Sequence, residues 1–178
     1  MNVSRRSFVT GVSIATGSII LGRSRDAFAG DPPAGYRWEV SQKAGIKFAI
    51  WKAWTINVDG GVLVTKHHNF ATNGIGMEFV AVTRGEAADA EKQMLAQVTR
   101  TLVGAKQNAG STPIAQHGLS GFLLKGTGKN QSGVPKEWFS VVLGDGKGHG
   151  MLTLVLGNVG MVEASTEAKT TLNSIALA

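Results

Sequence analysis

The sequence has no cysteine, one tyrosine and only 4 prolines in 178 residues. The lack of cysteine excludes disulfides, thiolate zinc sites, cysteine-ligated iron–sulfur clusters and a cysteine nucleophile. Charged residues are also few, at 17%, whereas hydrophobic residues make up 43% of the chain. This composition provides enough apolar material for a core and argues against a wholly disordered chain. The length predicts one globular domain.

The first 29 residues have the three parts of an export signal. A basic start is followed by an apolar run of 12 residues at positions 11–22, and then by a small-x-small cleavage site at Ala27 and Ala29. As a helix the run would be roughly 18 Å long, against roughly 30 Å for a bilayer core. We therefore expect no stable membrane span, a cleavable signal at 1–29 and a single mature domain at 30–178.

The segment Ser4-Arg5-Arg6-Ser7-Phe8 resembles the twin-arginine (Tat) export signal, whose pattern begins S-R-R-x-F. The next two positions of the pattern are not matched. The resemblance implies that the Tat translocase is a partner during export and that the mature protein lies in the periplasm, in a thylakoid lumen or outside the cell. The alternative is a chance arginine pair in an ordinary Sec signal.

The positive charge of the chain is concentrated in this leader. Residues 1–29 contain four arginines and one aspartate, so their removal lowers the formal net charge from +6 to +3. The remaining chain contains no dense run of lysine and arginine. Because nucleic-acid binding depends on clustered cations, we expect no nucleic-acid partner.

The first half of the mature chain alternates β-branched and aromatic residues between short turn signals, a pattern typical of an antiparallel meander. The Asp59-Gly60 and Asn73-Gly74 dipeptides are hairpin signals between such runs. The predicted strands are Tyr36–Val40, Ile46–Val58, Val62–Phe70 and Ile75–Thr83.

The hydrophobic period then changes from two to between three and four. This predicts an amphipathic helix over Glu86–Asn108, with Thr83 and Glu86 as a capping box. Strand character returns over Ile114–Leu124, Trp138–Leu143 and Met151–Leu156, with loops at Lys125–Lys136 and Gly144–Gly150 and a second helix over Glu163–Leu177. We expect those two glycine-rich loops to lie near one edge of the sheet, where a ligand could order them.

The order of strands, helix, strands and helix predicts an α+β fold in which two amphipathic helices cover an antiparallel β-sheet. This order over about Tyr36–Leu177, ending in the helix at Ser165–Ile175, resembles the PsbP-like fold group. That group contains the lumenal PsbP protein of photosystem II and several exported bacterial proteins. The resemblance implies an α/β/α sandwich and carries no catalytic motif.

Four histidines are candidate ligands for zinc or copper. Neighbouring strand residues point to opposite faces, so either His67 or His68, but not both, could join His117 and His149 at one ion. The spacing matches no H-E-x-x-H or H-x-H motif. The alternative is that these are ordinary surface or half-buried histidines.

Ser120 and His117 are candidates for a serine hydrolase pair. A nucleophile elbow requires G-x-S-x-G, but Phe122 occupies the fifth position, and we expect a strand rather than a helix after the serine. No catalytic constellation is evident elsewhere. The leading functional hypothesis is an exported, soluble, non-enzymatic accessory protein of the cell envelope that binds a partner protein or a small ligand. A metal-binding protein and a hydrolase are the alternatives.

Overall fold

The computed structural model describes residues 30–59, 62–82 and 89–178. The leader at 1–29, Gly60 of the first turn and the capping-box pair lie outside the described residues. The helices are α1 Phe70–Asn73, α2 Ala90–Thr101, α3 Met161–Ala164 and α4 Thr166–Asn173. The strands are β1 Tyr36–Ser41, β2 Ile46–Trp51, β3 Thr55–Asp59, β4 Val62–Lys66, β5 Gly76–Ala81, β6 Val103–Gln107, β7 Thr112–Gln116, β8 Leu119–Lys129, β9 Pro135–Gly144, β10 Gly150–Asn158 and β11 Ala176–Leu177.

The larger of two antiparallel sheets has the order β3-β4-β5-β10-β9-β8-β6, and β7 also pairs with β8. Strands β6 and β7 follow one another along the outer edge of β8. The central strands β9 and β10 are nearly continuous runs of buried residues, because both faces of the sheet are covered there. The fold is therefore mostly antiparallel β-sheet with a few helices, which agrees with the predicted α+β class.

A smaller sheet, β1-β2-β11, covers one face of the large sheet together with α3 and α4. The rings of Phe48 on β2 and Phe79 on β5 stack at 4.1 Å between them. Helix α2 covers part of the opposite face, where Met94 and Val98 pack with Trp138. The large sheet thus separates two hydrophobic cores.

Several predicted strands have different bounds. The run over Ile46–Val58 is two strands, since a turn at 52–54 buries Trp54 and passes the chain from the small sheet to the large one. The strand predicted over Val62–Phe70 ends at Lys66. The chain then turns into α1, which ends at Gly74 in a left-handed conformation with φ of 65°. Asn73-Gly74 therefore ends a helix rather than forming a two-residue hairpin.

The predicted helix over Glu86–Asn108 is too long. Helix α2 ends at Thr101, and the residues after Leu102 form β6 at the edge of β8. Gly104 has a φ of 62°, which a helix cannot accommodate, and it lies where the register with β8 shifts. The residues of this edge strand continue the apolar spacing of the helix, and for that reason the predicted helix extends too far.

The predicted loop over Lys125–Lys136 is mostly strand. Strand β8 continues to Lys129, so the connection is only residues 130–134. Gly126 lies within the strand because a Cβ there would overlap the ring of Trp138 and the carbonyl oxygen of Lys106. This glycine permits a close approach and does not mark a turn.

The predicted terminal helix over Glu163–Leu177 is divided into α3, α4 and β11. Ser165 has extended backbone, and its hydroxyl accepts a hydrogen bond from the Ala168 N–H, so it acts as the N-cap of α4. The two loops expected at one edge also lie apart. They are joined to opposite ends of the ten-residue strand β9, roughly 30 Å from one another.

Candidate functional site

A groove of about 470 Å³ lies on the α2 face of the large sheet, beyond the end of that helix. Its floor is formed by strands β4, β5, β10 and β9, and its walls are α1, the last turn of α2 and the connection at 130–134. The lining residues are Val64, Thr65, Lys66, Phe70, Ala71, Gly74, Gly76, Met77, Glu78, Thr101, Leu102, Asn130, Val134, Lys136, Leu156 and Asn158. Sites of this size and mixed polarity are typical of small-molecule pockets.

The register of the strands arranges the floor in three rows. Glu78 pairs with Val64 in the first row, Gly76 lies between Lys66 and Leu156 in the second, and Asn158 pairs with Lys136 in the third. Since paired antiparallel residues share a face, all these positions project toward the groove. Successive rows are two residues apart, so the first and third rows are separated by roughly 13 Å.

The third row is a polar bar across one end of the groove. The Lys136 ammonium donates a hydrogen bond of 2.6 Å to Asn158 Oδ1, and Asn158 Nδ2 donates one of 2.8 Å to the Thr72 carbonyl oxygen. These two hydrogen bonds link β9, β10 and α1. The φ of 65° at Gly74 favours glycine, and a Cβ there would lie 2.5 Å from the Lys136 nitrogen and 2.8 Å from Asn158 Oδ1, so it would displace both groups. The Lys136–Asn158 bar therefore packs closely against α1.

The other charged groups of the groove lie toward opposite ends. The Lys66 ammonium lies 5.2 Å from the centre of the Phe70 ring, on the α1 side. Glu78, in the first row, accepts a hydrogen bond of 2.6 Å from the side-chain amide of Gln97 on α2. In the described part of the chain neither Lys66 nor Lys136 forms a salt bridge. The α1 end of the groove is thus positive, and the opposite end holds one carboxylate that already has a partner.

A second hollow of about 510 Å³ adjoins the groove and shares Lys136 with it. It lies where β6 meets β8 at Gly104 and Gly128, and its rim includes Val103 and Val159, both of which are mostly exposed. Its remaining lining residues are Thr127, Lys129 and Pro135.

His67 and His68 follow the end of β4, so the expectation that they point to opposite faces of a strand is wrong. Their rings stack at 4.1 Å, and His67 is only 7% exposed. The His67 Nδ1 accepts a hydrogen bond of 2.9 Å from the Asn69 N–H, and its Nε2 lies 4.0 Å from Glu167 Oε1. Burial lowers the pKa of His67, and the nearby His68 adds to this, against a smaller opposing effect of Glu167.

The other two candidate histidines have different neighbours. His117 has a φ of 47° in the turn between β7 and β8, and its Nε2 lies 2.9 Å from the Asn173 carbonyl oxygen. His149 Nδ1 lies 2.7 Å from Asp145 Oδ2. This contact, and then the Lys147 N–H bonded to the same carboxyl group, hold the pKa of Asp145 well below its ordinary value. Over residues 30–59, 62–82 and 89–178, no group of three or more His, Asp and Glu side chains is arranged to hold a metal ion.

The candidate hydrolase pair lies at the β7–β8 turn. Ser120 is exposed on β8, and the chain continues as a strand to Lys129. The strand-to-helix turn of a nucleophile elbow does not occur at this serine.

The groove residues carry no sequence motif. Lys66, Glu78, Lys136 and Asn158 each occupy an ordinary outward position of a strand, so each is expected to be a solvated side chain. Only the pairing of four strands from distant parts of the chain brings them together.

No model of a known protein family matches this chain, and no curated protein matches it. None of the helices in the described ranges combines the length and the apolar character needed to cross a bilayer.

Proposed function

We propose that this chain is an exported, non-enzymatic accessory protein of the cell envelope that holds a small ligand in the groove beside α2. The observation that carries the proposal is the groove itself, which places fixed polar groups around a largely apolar floor on rigid strands. The polar groups would orient a ligand, and the apolar floor would supply most of the binding energy.

The glycine at position 76 allows a direct test. A Cβ at this position would meet its nearest atoms at 3.4 and 3.6 Å, which is ordinary contact, so Gly76→Leu should fold and project its side chain into the groove. Gly110→Leu is the matched control, because a Cβ added at Gly110 would have no atom within 4 Å.

The measurement is a titration of the isotopically labelled exported protein with a library of small molecules, followed by NMR. We expect saturable shifts at residues such as Lys66 and Leu156, lost in Gly76→Leu and retained in Gly110→Leu. If no molecule gives saturable shifts at the groove, or if Gly76→Leu binds as well as the control, the proposal is wrong.

Export through the Tat translocase is the second part of the proposal, supported by the resemblance of Ser4–Phe8 to a twin-arginine signal. The test replaces both Arg5 and Arg6 by lysine and compares the result with replacement of Arg23 and Arg25. The first variant should remain in the cytoplasm with its leader intact, whereas the second should still be exported and cleaved after Ala29. Normal export of the Arg5/Arg6 variant would indicate the Sec route instead.

Membership of the PsbP-like fold group is the third part. It is supported by an antiparallel sheet with cover on both faces, a helix after the first strands and a helix close to the end of the chain. An experimental structure superposed on PsbP-like proteins tests it, and a different strand order in the sheet would contradict it.

A further inference from the structure

We propose that the ligand of the groove is an amphipathic monocarboxylate, with its carboxylate at the Lys136–Asn158 bar and its apolar body along the floor toward Glu78. This inference rests on the proposed function, because it names the chemical class of the ligand at the same site.

The Lys136 ammonium supplies the argument for a carboxylate. An ammonium group has three hydrogen-bond donors, and one of them is used by Asn158 Oδ1. Its position is restrained by that bond, so less entropy is lost when an anion binds. Lys66, held over the Phe70 ring, adds a second positive charge on the same side.

The charge balance of the lining favours a single negative charge. The described lining contains two lysines and one glutamate, a formal sum of +1, and it contains no arginine. A phosphate dianion would exceed this charge and would lack the forked donors that arginine presents to phosphate. A cation would meet two ammonium groups and a carboxylate that is already hydrogen-bonded.

The middle row supplies the argument for an apolar body. Between the Lys136 row and the Glu78 row, the floor has Leu156 beside Gly76, which has no side chain, and the wall on the α2 side includes Leu102. Lys66 also belongs to this row, but its ammonium lies over the Phe70 ring at the α1 side of the groove. The rows at either end are roughly 13 Å apart, and this spacing limits the ligand to a medium-length chain or a small ring system. A longer chain would place its apolar end against the Glu78 carboxylate.

The test uses three probes with the same apolar chain: octanoate, its neutral amide and octylamine. Calorimetric titration of the exported protein should give saturable binding of octanoate, with binding of the amide weaker by about tenfold or more, as expected for loss of a charged hydrogen bond. Octylamine should bind more weakly still. Octyl phosphate is included, and it should not bind more tightly than octanoate.

The variants are Lys136→Met and Lys66→Met, each with Lys147→Met as control. Lys147 is exposed in the connection at the far end of β9. We expect octanoate affinity to fall by about tenfold in Lys136→Met and by less in Lys66→Met, with no change in the control. Lys136→Gln provides a second variant if Lys136→Met does not fold.

The outcomes separate this inference from the proposed function. If the amide or octylamine binds as well as octanoate, and Gly76→Leu blocks that binding, the groove binds ligands but the carboxylate assignment is wrong. Equal loss in Lys136→Met and Lys147→Met would also overturn it. If no probe of any charge binds, and the library gives no saturable shifts either, the proposed function itself fails.

Discussion

Two halves of the same sheet face differ in what covers them. Under α2, Trp138 and Leu154 are fully buried in an apolar core. Beyond the end of α2, the same face carries Glu78, Lys136 and Asn158. Lys136 and Trp138 lie on the same strand, so the division runs along the strands as well as across them. A helix of 12 residues is about 18 Å long, whereas the ten residues of β9 span about 33 Å and seven strands side by side span about 29 Å, so α2 cannot cover the whole face.

The presence or absence of a covering helix, and not the strand sequence alone, therefore determines which part of this face is core and which part is groove. Successive residues of β9 and β10 point to opposite faces of the sheet along the whole of each strand. What changes is the chemistry of the outward residues, from large apolar side chains under the helix to lysine, asparagine and glycine beside it. Substitutions in the two halves should therefore have different consequences, with stability affected under α2 and binding affected in the groove.

The largest effect is expected for Trp138→Ala. This side chain is fully buried under α2, and its Nε1 donates a hydrogen bond of 3.3 Å to the Thr127 carbonyl oxygen. Its loss should lower the free energy of unfolding by about 3–5 kcal/mol, measured by urea denaturation. The matched variant is Leu156→Ala, half-buried in the groove floor, with an expected loss of about 1 kcal/mol. Equal losses would remove the distinction between the two halves.

The next effect is expected for Gly126→Ala. The added methyl group would overlap the Trp138 ring and the Lys106 carbonyl oxygen, and backbone cannot move aside as a flexible side chain can. We expect a loss of about 1–3 kcal/mol in unfolding free energy. Gly110→Ala has open space around the new Cβ and should change stability little. An unchanged denaturation midpoint in Gly126→Ala would show that β6 is not held closely against β8.

Much of the covered half can be predicted from the sequence, because its signal is local. The apolar runs of β9 and β10 and the stripe Ala90, Met94 and Val98 of α2 indicate burial through their spacing alone. The predicted bounds are wrong where a glycine allows close packing instead of forming a turn, as at Gly126. They are also wrong where the residues of an edge strand continue the apolar spacing of a helix, as after Leu102.

The groove could not be predicted in the same way. Its residues come from four strands that are separated by up to about 90 positions in the chain, and their proximity depends on register, which no single segment encodes. The metal hypothesis combined either His67 or His68 with His117 and His149. The expectation that His67 and His68 point to opposite faces assumed that the strand continues through them, whereas β4 ends at Lys66.

The pH dependence of stability tests the covering layer on the opposite face, where His67 lies beside Glu167 and His68. The folded pKa of His67 is lowered by burial, so below its ordinary value of about 6.5 the unfolded state binds more protons than the folded state. Stability should therefore fall as the pH drops from about 6.5 toward the lowered folded pKa. Protonation at Nδ1 would also remove the hydrogen bond from the Asn69 N–H.

The measurement is thermal unfolding between about pH 7 and pH 5, across the ordinary pKa of histidine. His67→Gln should flatten the dependence. His68→Gln should retain most of it, because burial is the largest cause of the shift and remains in that variant. A steeper dependence in His67→Gln than in the parent protein would contradict the assignment.

A smaller change is expected for Ser140→Ala, which lies under α2 in the same row as Glu78. The Ser140 hydroxyl is fully buried and has no hydrogen-bond partner in the described part of the protein. Removing an unsatisfied hydroxyl should leave stability unchanged or raise it by about 1 kcal/mol. If the free energy of unfolding instead falls by more than about 1 kcal/mol, this hydroxyl has a hydrogen-bond partner under α2. The covered half would then be less apolar than the residues around Ser140 suggest.

The smallest effect on stability is expected for Glu78→Gln, in the groove half of that row. The neutral side chain still accepts a hydrogen bond from Gln97, so the loss in unfolding free energy should be less than about 1 kcal/mol. Octanoate affinity should instead rise by about twofold, since a negative charge roughly 13 Å from the bound carboxylate is removed in a solvated groove. Glu163→Gln is the control, because that carboxylate pairs with Lys125 and does not line the groove. If affinity instead rises by about tenfold or more, the bound carboxylate lies beside Glu78 and the orientation proposed for the ligand is reversed.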